Sequence, residues 1–157
     1  MTTLLEPAVT AAQTNHEELR HALVRHTEYL IAAVASNTPF EPAQHRLVEF
    51  LRTELLPHTA EEEDLIDVAA DTTSTGLLAH VMQDEHRLIG VLSRVVERAT
   101  DPIDAAVAAG ALAVLFDVCV LLEDDHLLPA LSGTDVDLNA LLGDSTADLA
   151  DTESSAS

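Results

Sequence analysis

The feature that most constrains the fold is a helix-type spacing of apolar residues that is broken at only three short places. In the first segment, for example, Leu19, Leu23 and Leu30 recur on one helical face. The breaks contain helix-ending residues and leave four segments, which cover about residues 8–36, 41–70, 76–99 and 101–131. No period-two alternation indicates a strand, so the sequence predicts an all-α protein. Four helices joined by short loops favour an up-down-up-down four-helix bundle.

Proline marks where two of these helices begin and where one should bend. Pro42 and Pro102 lie in the first turn of the second and fourth segments, where a missing N–H is harmless. Asp101 precedes Pro102 and is predicted to cap the fourth helix. Pro57 instead lies inside the second segment, where it removes a regular hydrogen bond, and therefore predicts a kink.

The length of 157 residues suits one domain with one core. We assign residues 1–132 to the bundle. Residues 133–157 are rich in Asp, Ser, Thr and Ala and contain no aromatic residue. They are predicted to form an acidic, mostly disordered tail with a short helical turn around Leu138 to Leu142.

The charge of the chain is strongly negative. There are 28 acidic residues against seven basic ones, all of them Arg, and the formal net charge is -21. Nucleic acids and anionic membranes bind chiefly through cationic side chains, so neither is an expected partner. The expected oligomeric state is a monomer or a homodimer, since the Ala- and Gly-rich start of the fourth helix permits close packing against another subunit.

Three features predict a cytoplasmic protein. The N-terminus lacks the basic start and long apolar run of a secretory signal. The apolar run 105–116 is bracketed by Asp104 and Asp117 at a length too short for a bilayer, and is interpreted as the most buried helix of the bundle. Cys119 is the single cysteine, which excludes an internal disulfide and suits a reducing compartment.

Side chains of metal-binding type lie where four helices could direct them into one interior: His16, His58, Glu62, His86, Cys119, Glu123 and His126. His58 and Glu62 are four residues apart and share a helical face. Cys119, Glu123 and His126 form one stripe on the fourth helix. Each buried polar ligand is costly unless it is satisfied, and a single cation can satisfy several. The sequence therefore predicts a metal site between the helices.

This pattern resembles the hemerythrin-like, or HHE, cation-binding proteins over about residues 10–131. The resemblance rests on four motifs: Asn15-His16, His58-x-x-x-Glu62, Glu85-His86 and Glu123-Asp124-Asp125-His126-Leu127-Leu128-Pro129. It implies a non-heme di-iron site in which His16 and His58 bind one iron, His86 binds the other, and Glu62 and Glu123 bridge them. Members of the family are associated with reversible oxygen binding, iron or oxygen sensing, and reactions with nitric oxide or peroxide.

Cys119 departs from the family variant H, HxxxE, H, HxxxE, which has a histidine four residues before the last glutamate. Three explanations stay open: Cys119 binds as a thiolate, His126 replaces the missing imidazole, or the second metal is weak or absent. A thiolate ligand would favour reduction chemistry or redox sensing. Cys119 can also be an inert buried side chain. His126 can equally lie in solvent or contact a metal ligand without binding the metal, although Glu123-x-x-His126 is the spacing of ferritin-type di-metal bundles.

Two functional classes follow. The first is a di-iron protein that binds or reacts with oxygen, nitric oxide or hydrogen peroxide in sensing or detoxification; no separate general base or nucleophile is visible, so no catalytic residue is assigned. The second is a non-catalytic module that stores, buffers or senses iron or zinc. A metal-free partner-binding bundle would leave the ligand pattern unexplained. Glu85 and Arg20 are expected to pair, either orienting a metal-bound imidazole or as an ordinary salt bridge.

Overall fold

The computed structural model describes residues 7–142, and every regular element in this range is helical. The prediction of an all-α protein is therefore confirmed. The helices are α1 (Pro7–Ala35), α2 (Glu41–Phe50), α3 (Leu56–Glu61), α4 (Glu63–Ala70), α5 (Gly76–Arg98), α6 (Pro102–Leu122), α7 (Leu128–Leu131) and α8 (Leu138–Leu142). The second predicted segment thus comprises α2 to α4, and the fourth comprises α6 and α7.

Helix ends follow the punctuation in the sequence. Helix α1 ends at Ala35, and Asn37 just beyond it has a φ of 55°, in the left-handed region that asparagine tolerates. The Thr38 N–H then donates to the Ala33 carbonyl at 3.1 Å, which satisfies one of the last carbonyls of the helix. Helix α6 begins as predicted, because the Asp101 carboxylate accepts from the N–H groups of Ile103 (2.8 Å) and Asp104 (3.2 Å).

Two π turns interrupt the second and fourth segments, at Leu51–Leu55 and Glu123–Leu127. Each ends two residues before a proline, Pro57 or Pro129. A proline ring clashes with the carbonyl four residues earlier and offers no N–H, so the chain widens by one residue instead of closing a regular turn. Where the sequence predicts a kink at Pro57, the structure has this wider turn.

The helices pack around one apolar core. Helix α1 contacts α2 and α6, while α5 contacts α2, α4 and α6. Fully buried side chains from each of these segments fill the centre, including Leu23, Leu47, Ile89, Leu112 and Phe116. The interior is therefore shared by all four segments that the periodicity predicts.

Helix α6 has two different apolar faces. One face carries Leu112, Phe116 and Cys119 into the core, whereas Val107 and Val114 on the other are about two-thirds exposed, at 66% and 65%. The helical stretch Pro102–Leu131 is long and apolar enough to cross a membrane, and 39% of its most apolar window is buried. One such helix does not distinguish a membrane span from the core helix of a soluble protein. The interpretation of α6 as a core helix therefore explains its buried face but not its exposed apolar face.

The short helical turn predicted around Leu138 to Leu142 is confirmed as α8. Leu138 is 1% exposed, and α8 contacts α1 and α4. The disorder predicted for the rest of the tail falls on residues 143–157, which lie outside the described residues. The boundary at residue 132 stays a prediction.

Candidate metal centre

Two imidazoles and one carboxylate converge near the end of the core. His16 comes from α1, His58 from α3, and Glu62 from the junction between α3 and α4. All three are buried, and one ligand atom from each lies within 4.8 Å of the others. The i, i+4 spacing of His58 and Glu62 places both on one face, as predicted. The structure therefore brings together three of the predicted metal ligands.

The contacts inside this group are short. Glu62 Oε1 lies 2.8 Å from His16 Nε2, with which it is hydrogen-bonded, and 2.8 Å from His58 Nε2. The second contact is outside hydrogen-bond geometry, so His58 Nε2 has no hydrogen-bond partner. The two rings are perpendicular, at 77°, with centroids 5.0 Å apart. Imidazole nitrogens and a carboxylate oxygen that converge on one point are the donor types of a metal ligand set.

The outer nitrogens of both rings have polar neighbours. His16 Nδ1 lies 2.8 Å from Asp124 Oδ1, and Asn15 Nδ2 donates to His58 Nδ1 at 3.5 Å. With its amide turned over, Asn15 would accept from Nδ1–H instead, which is the tautomer that frees His58 Nε2 for a metal. A carboxylate or amide on the far nitrogen orients a metal-binding imidazole and sets its tautomer.

Two more predicted ligands border the group. His86 Nε2 lies 3.6 Å from Glu62 Oε2, and Glu123 Oε2 lies 3.6 Å from His16 Nε2. Neither ring nitrogen of His86 has a hydrogen-bond partner; the Thr59 backbone comes near, but outside hydrogen-bond geometry. Glu123 is 1% exposed, and its Oε1 has no partner either.

This unsatisfied chemistry fits a divalent metal. Leaving a buried donor or acceptor unpaired costs about 1–3 kcal/mol, and four such atoms belong to His58, His86 and Glu123. Imidazole nitrogen and carboxylate oxygen are ligands that zinc and iron both accept. One or two cations would satisfy His58 Nε2, His86 Nε2 and Glu123 Oε1 together, so the residues present fit a metal centre.

Ionisation in the metal-free site is strongly coupled. Burial opposes the charged form of His16, but its hydrogen bonds to Asp124 and Glu62 outweigh this and raise its pKa to about 10. Burial also opposes the charged form of Glu62, yet the hydrogen bond with His16 and the close His58 imidazole hold the pKa of this carboxyl far below its usual range. At neutral pH the pair is therefore imidazolium and carboxylate.

Two other groups are held in their neutral acid forms. Burial, reinforced by the nearby charge of Glu62, raises the pKa of Glu123 well above its usual value. Burial, together with the charges of Glu62 and Glu123, raises the pKa of the Cys119 thiol far above its usual range. The Cys119 thiol also shares a hydrogen bond with Glu85, whose pKa burial raises. In the metal-free protein Cys119 is a thiol and not a thiolate.

The remaining sequence predictions have different outcomes. Cys119 is buried near the site but outside the converging group, and His126 is exposed on the second π turn. The structure does not bring His126 to the centre. The pairing of Arg20 with Glu85 is wrong: the Arg20 guanidinium donates to Asp117 at 2.7 Å, and Glu85 lies against Cys119.

Asp124 contacts the candidate site through His16 but is not among the residues that the sequence pattern indicates. It belongs to the Glu123-Asp124-Asp125-His126 motif, but nothing in that motif distinguishes it from Asp125. The two differ in burial, because the Asp124 side chain is 19% exposed and reaches His16, whereas Asp125 faces solvent. The sequence signal that could indicate Asp124 is its position directly after Glu123, a predicted and buried ligand.

Two cavities lead to the site from different sides. One, of about 290 Å³, is lined by Asn15, His58 and Glu62 and is bordered by Leu141 and Leu142 of α8. The other, of about 570 Å³, lies between α3, α4 and α5 and includes His86. Both volumes exceed what a diatomic molecule or peroxide requires, so such a molecule can approach either the His58 side or the His86 side.

Comparison with known proteins provides no relative for this chain: no protein-family model, no curated protein and no solved structure matches it.

Proposed function

We propose that this protein is a hemerythrin-like di-iron protein that binds or reacts with oxygen, nitric oxide or hydrogen peroxide, in a sensing or detoxifying role in the cytoplasm. The observation that carries the proposal is the convergence of His16, His58 and Glu62, with each Nε2 turned inward and each Nδ1 beside a polar neighbour. Buried side chains of this kind are costly unless they are satisfied, and a cation among them would satisfy several at once.

The orientation of Glu62 supports a site for two ions. Its Oε1 faces His16 and His58, whereas its Oε2 faces His86. A carboxylate with its two oxygens turned to two different sets of imidazoles has the geometry of a bridging ligand. The unpaired Oε1 of Glu123 provides a further oxygen for the pair. This arrangement agrees with the roles that the resemblance implies for Glu62, His86 and Glu123.

The packing supports the bundle that the proposal requires. Helix α1 has α2 and α6 as neighbours, and α5 has α2 and α6, so the four segments follow one another around a common axis. Short connections between consecutive segments favour an antiparallel, up-down-up-down course. The ligands come from the first, second, third and fourth segments in turn, which is the arrangement that a central di-metal site needs.

Bound iron would supply a coordination position for a small molecule and a change of oxidation state. The protein side chains hold that chemistry in place. Asp124 fixes the ring of His16, and the edge of Phe116 packs near His58 with a centroid distance of 6.5 Å. The buried Cys119 thiol is a neutral neighbour that leaves the charge of the site to the carboxylates. We assign no catalytic residue.

One observation favours the second class, a non-catalytic iron or zinc module. Only His16, His58 and Glu62 form a complete three-ligand group among the described residues. Three protein ligands and one water make a tetrahedral site that suits zinc. In that case His86 and Glu123 would border a single ion without binding a second one.

The experiment that separates the two classes is anaerobic reconstitution with ferrous iron, followed by optical spectra after adding oxygen, nitric oxide or hydrogen peroxide. The di-iron proposal predicts two iron ions per chain and a new ligand-to-metal absorption band with at least one reagent. One ion per chain, zinc preferred over iron and no spectral response would favour the storage or buffering module. Absence of retained metal of either kind contradicts both.

A further inference from the structure

An exposed apolar surface, here called the α5–α6 strip, runs along the outer sides of two neighbouring helices. Its members are large aliphatic side chains with exposed fractions of 40% to 66%: Leu88, Val91, Val95, Ile103, Val107, Val114, Val118 and Leu121. The two helices pack side by side, and a groove between them is lined by Val91 and Val95 on one wall and Val107 on the other. The strip is therefore continuous across both helices.

The spacing along the strip is that of helices that pack against other helices. On α6 the outward positions Val107, Val114 and Leu121 are seven residues apart, and on α5 Leu88 and Val95 are seven apart with Val91 between them. An apolar repeat of this period is the seam of a helix–helix interface. Although the chain carries 28 acidic residues, none lies between Asp104 and Asp117.

The area is that of a specific interface. From the exposed fractions, the eight side chains present on the order of 700 Å² of apolar surface. The largest apolar patch on an ordinary monomer is about 300–600 Å², and a stable complex buries about 800 Å² on each partner. The strip together with its polar rim therefore reaches the size of one half of a stable dimer.

The charge around the strip favours a second copy of this chain as the partner. Helix α5 holds three of the seven Arg residues, Arg87, Arg94 and Arg98. The exposed acidic residues of the two helices number four: Asp84, Glu97, Asp104 and Asp117. Of these, only Arg94, Arg98 and Asp104 line the groove itself. The groove is therefore close to neutral, whereas the whole chain carries a formal charge of -21. A second copy of such an acidic protein meets less repulsion here than the net charge of the chain would produce, and its own Arg and Asp residues can pair across a two-fold axis.

We propose that the α5–α6 strip is the interface of a homodimer, in which α5 and α6 of one protomer pack against the same two helices of its partner. An anionic membrane is the less suitable occupant, because the rest of the surface would be repelled by it. The proposal does not depend on the metal site, since His16, His58 and Glu62 lie on the inner sides of the bundle.

The test is the mass of the full chain in solution, measured by light scattering and sedimentation velocity over a hundred-fold range of concentration. The wild type should have twice the 16.8 kDa chain mass at the higher concentrations. Val107→Asp and Val114→Asp place two charges in each dimer interface, so each should raise the dissociation constant about 100-fold or more. Both positions are exposed, so the variants should keep the wild-type helix content by circular dichroism.

The matched control is Ile31→Asp, which places the same charge at a 44% exposed aliphatic position of α1, outside the strip. It should leave the dimer intact. A wild type that stays monomeric throughout overturns the proposal, as does a dimer that both strip variants preserve. Flotation of the wild type with phosphatidylcholine or phosphatidylglycerol vesicles, lost in the strip variants, would assign the surface to a membrane instead and would also overturn it.

Discussion

Replacement of Glu62 by Gln is the perturbation from which the metal hypothesis makes its most specific prediction. The substitution keeps the volume of the side chain but removes the charge and replaces one of the two carboxylate oxygens by an amide nitrogen, whereas in the wild type Oε1 lies 2.8 Å from both His16 and His58 and Oε2 faces His86. Metal-free wild type and variant will differ in stability, because an ionised partner of His16 is lost. The informative quantity is therefore the rise in melting temperature that metal produces within each protein.

The magnitude follows from binding linkage. At a free metal concentration 100 times the dissociation constant, binding stabilises the folded state by about 2.7 kcal/mol, or about 5–10 °C for a protein of this size. Loss of a residue that merely orients a ligand lowers metal affinity about 10–100-fold, so loss of Glu62 itself should cost at least about 100-fold. At the same metal concentration the variant then gains only about 0.4 kcal/mol, which is about 1 °C.

The assay is thermal unfolding followed by circular dichroism, with and without ferrous iron under argon and again with zinc. The control is Asp64→Asn, which removes one negative charge from an exposed position two residues away. It should keep the full metal-induced shift. If Glu62→Gln shows the same shift and the same metal stoichiometry as wild type, Glu62 is not a ligand and the assignment of the site is wrong.

Three further predictions concern neighbouring groups. Asp124→Asn should lower the pKa of His16 from about 10, measured by NMR titration, and weaken metal binding about 10–100-fold, measured by calorimetry. The control Asp125→Asn, at the exposed neighbouring position, should change neither quantity. Equal effects of the two substitutions would refute the orienting role of Asp124. Because the pKa values of His16 and Glu123 are raised, metal must displace protons from these groups, so metal affinity should increase from pH 6 to pH 9. The stability of the metal-free protein should instead decrease as pH rises towards 10, since these groups then lose their protons. Calorimetry that gives the same binding enthalpy in buffers of different ionisation enthalpy would show that no proton is released and would contradict this. Cys119→Ser should retain full metal loading and an unchanged spectrum, because burial keeps the thiol protonated; loss of an absorption band would show thiolate ligation.

Local signals in the sequence predict the helices and most of the ligands. The Asp101 cap and the adjacent Pro102 act within one turn, so their effect does not depend on the rest of the fold. His58 and Glu62 share a face because of their spacing alone. Their meeting with His16, 42 or more positions earlier in the chain, requires only that the helices pack with their apolar faces inward.

The features that the sequence did not predict depend on distant contacts or on a change of helix type. Asp124 reaches His16 across 108 positions of the chain, and no local pattern distinguishes it from Asp125. A regular helix with 3.6 residues per turn predicts that His126 shares a stripe with Cys119 and Glu123. The π turn at Glu123–Leu127 shifts the phase, so that Leu127 is fully buried and His126 faces solvent.

The most direct measurement is elemental analysis of protein that has been reconstituted anaerobically with ferrous iron and then desalted, for the wild type and for the double variant His16→Gln, His58→Gln. A centre built from these imidazoles and Glu62 should retain at least one iron per chain in the wild type, two if the site is dinuclear, and almost none in the double variant, with its helix content preserved. Wild-type protein that emerges without metal, after either iron or zinc, or a double variant that retains as much as the wild type, would contradict the account.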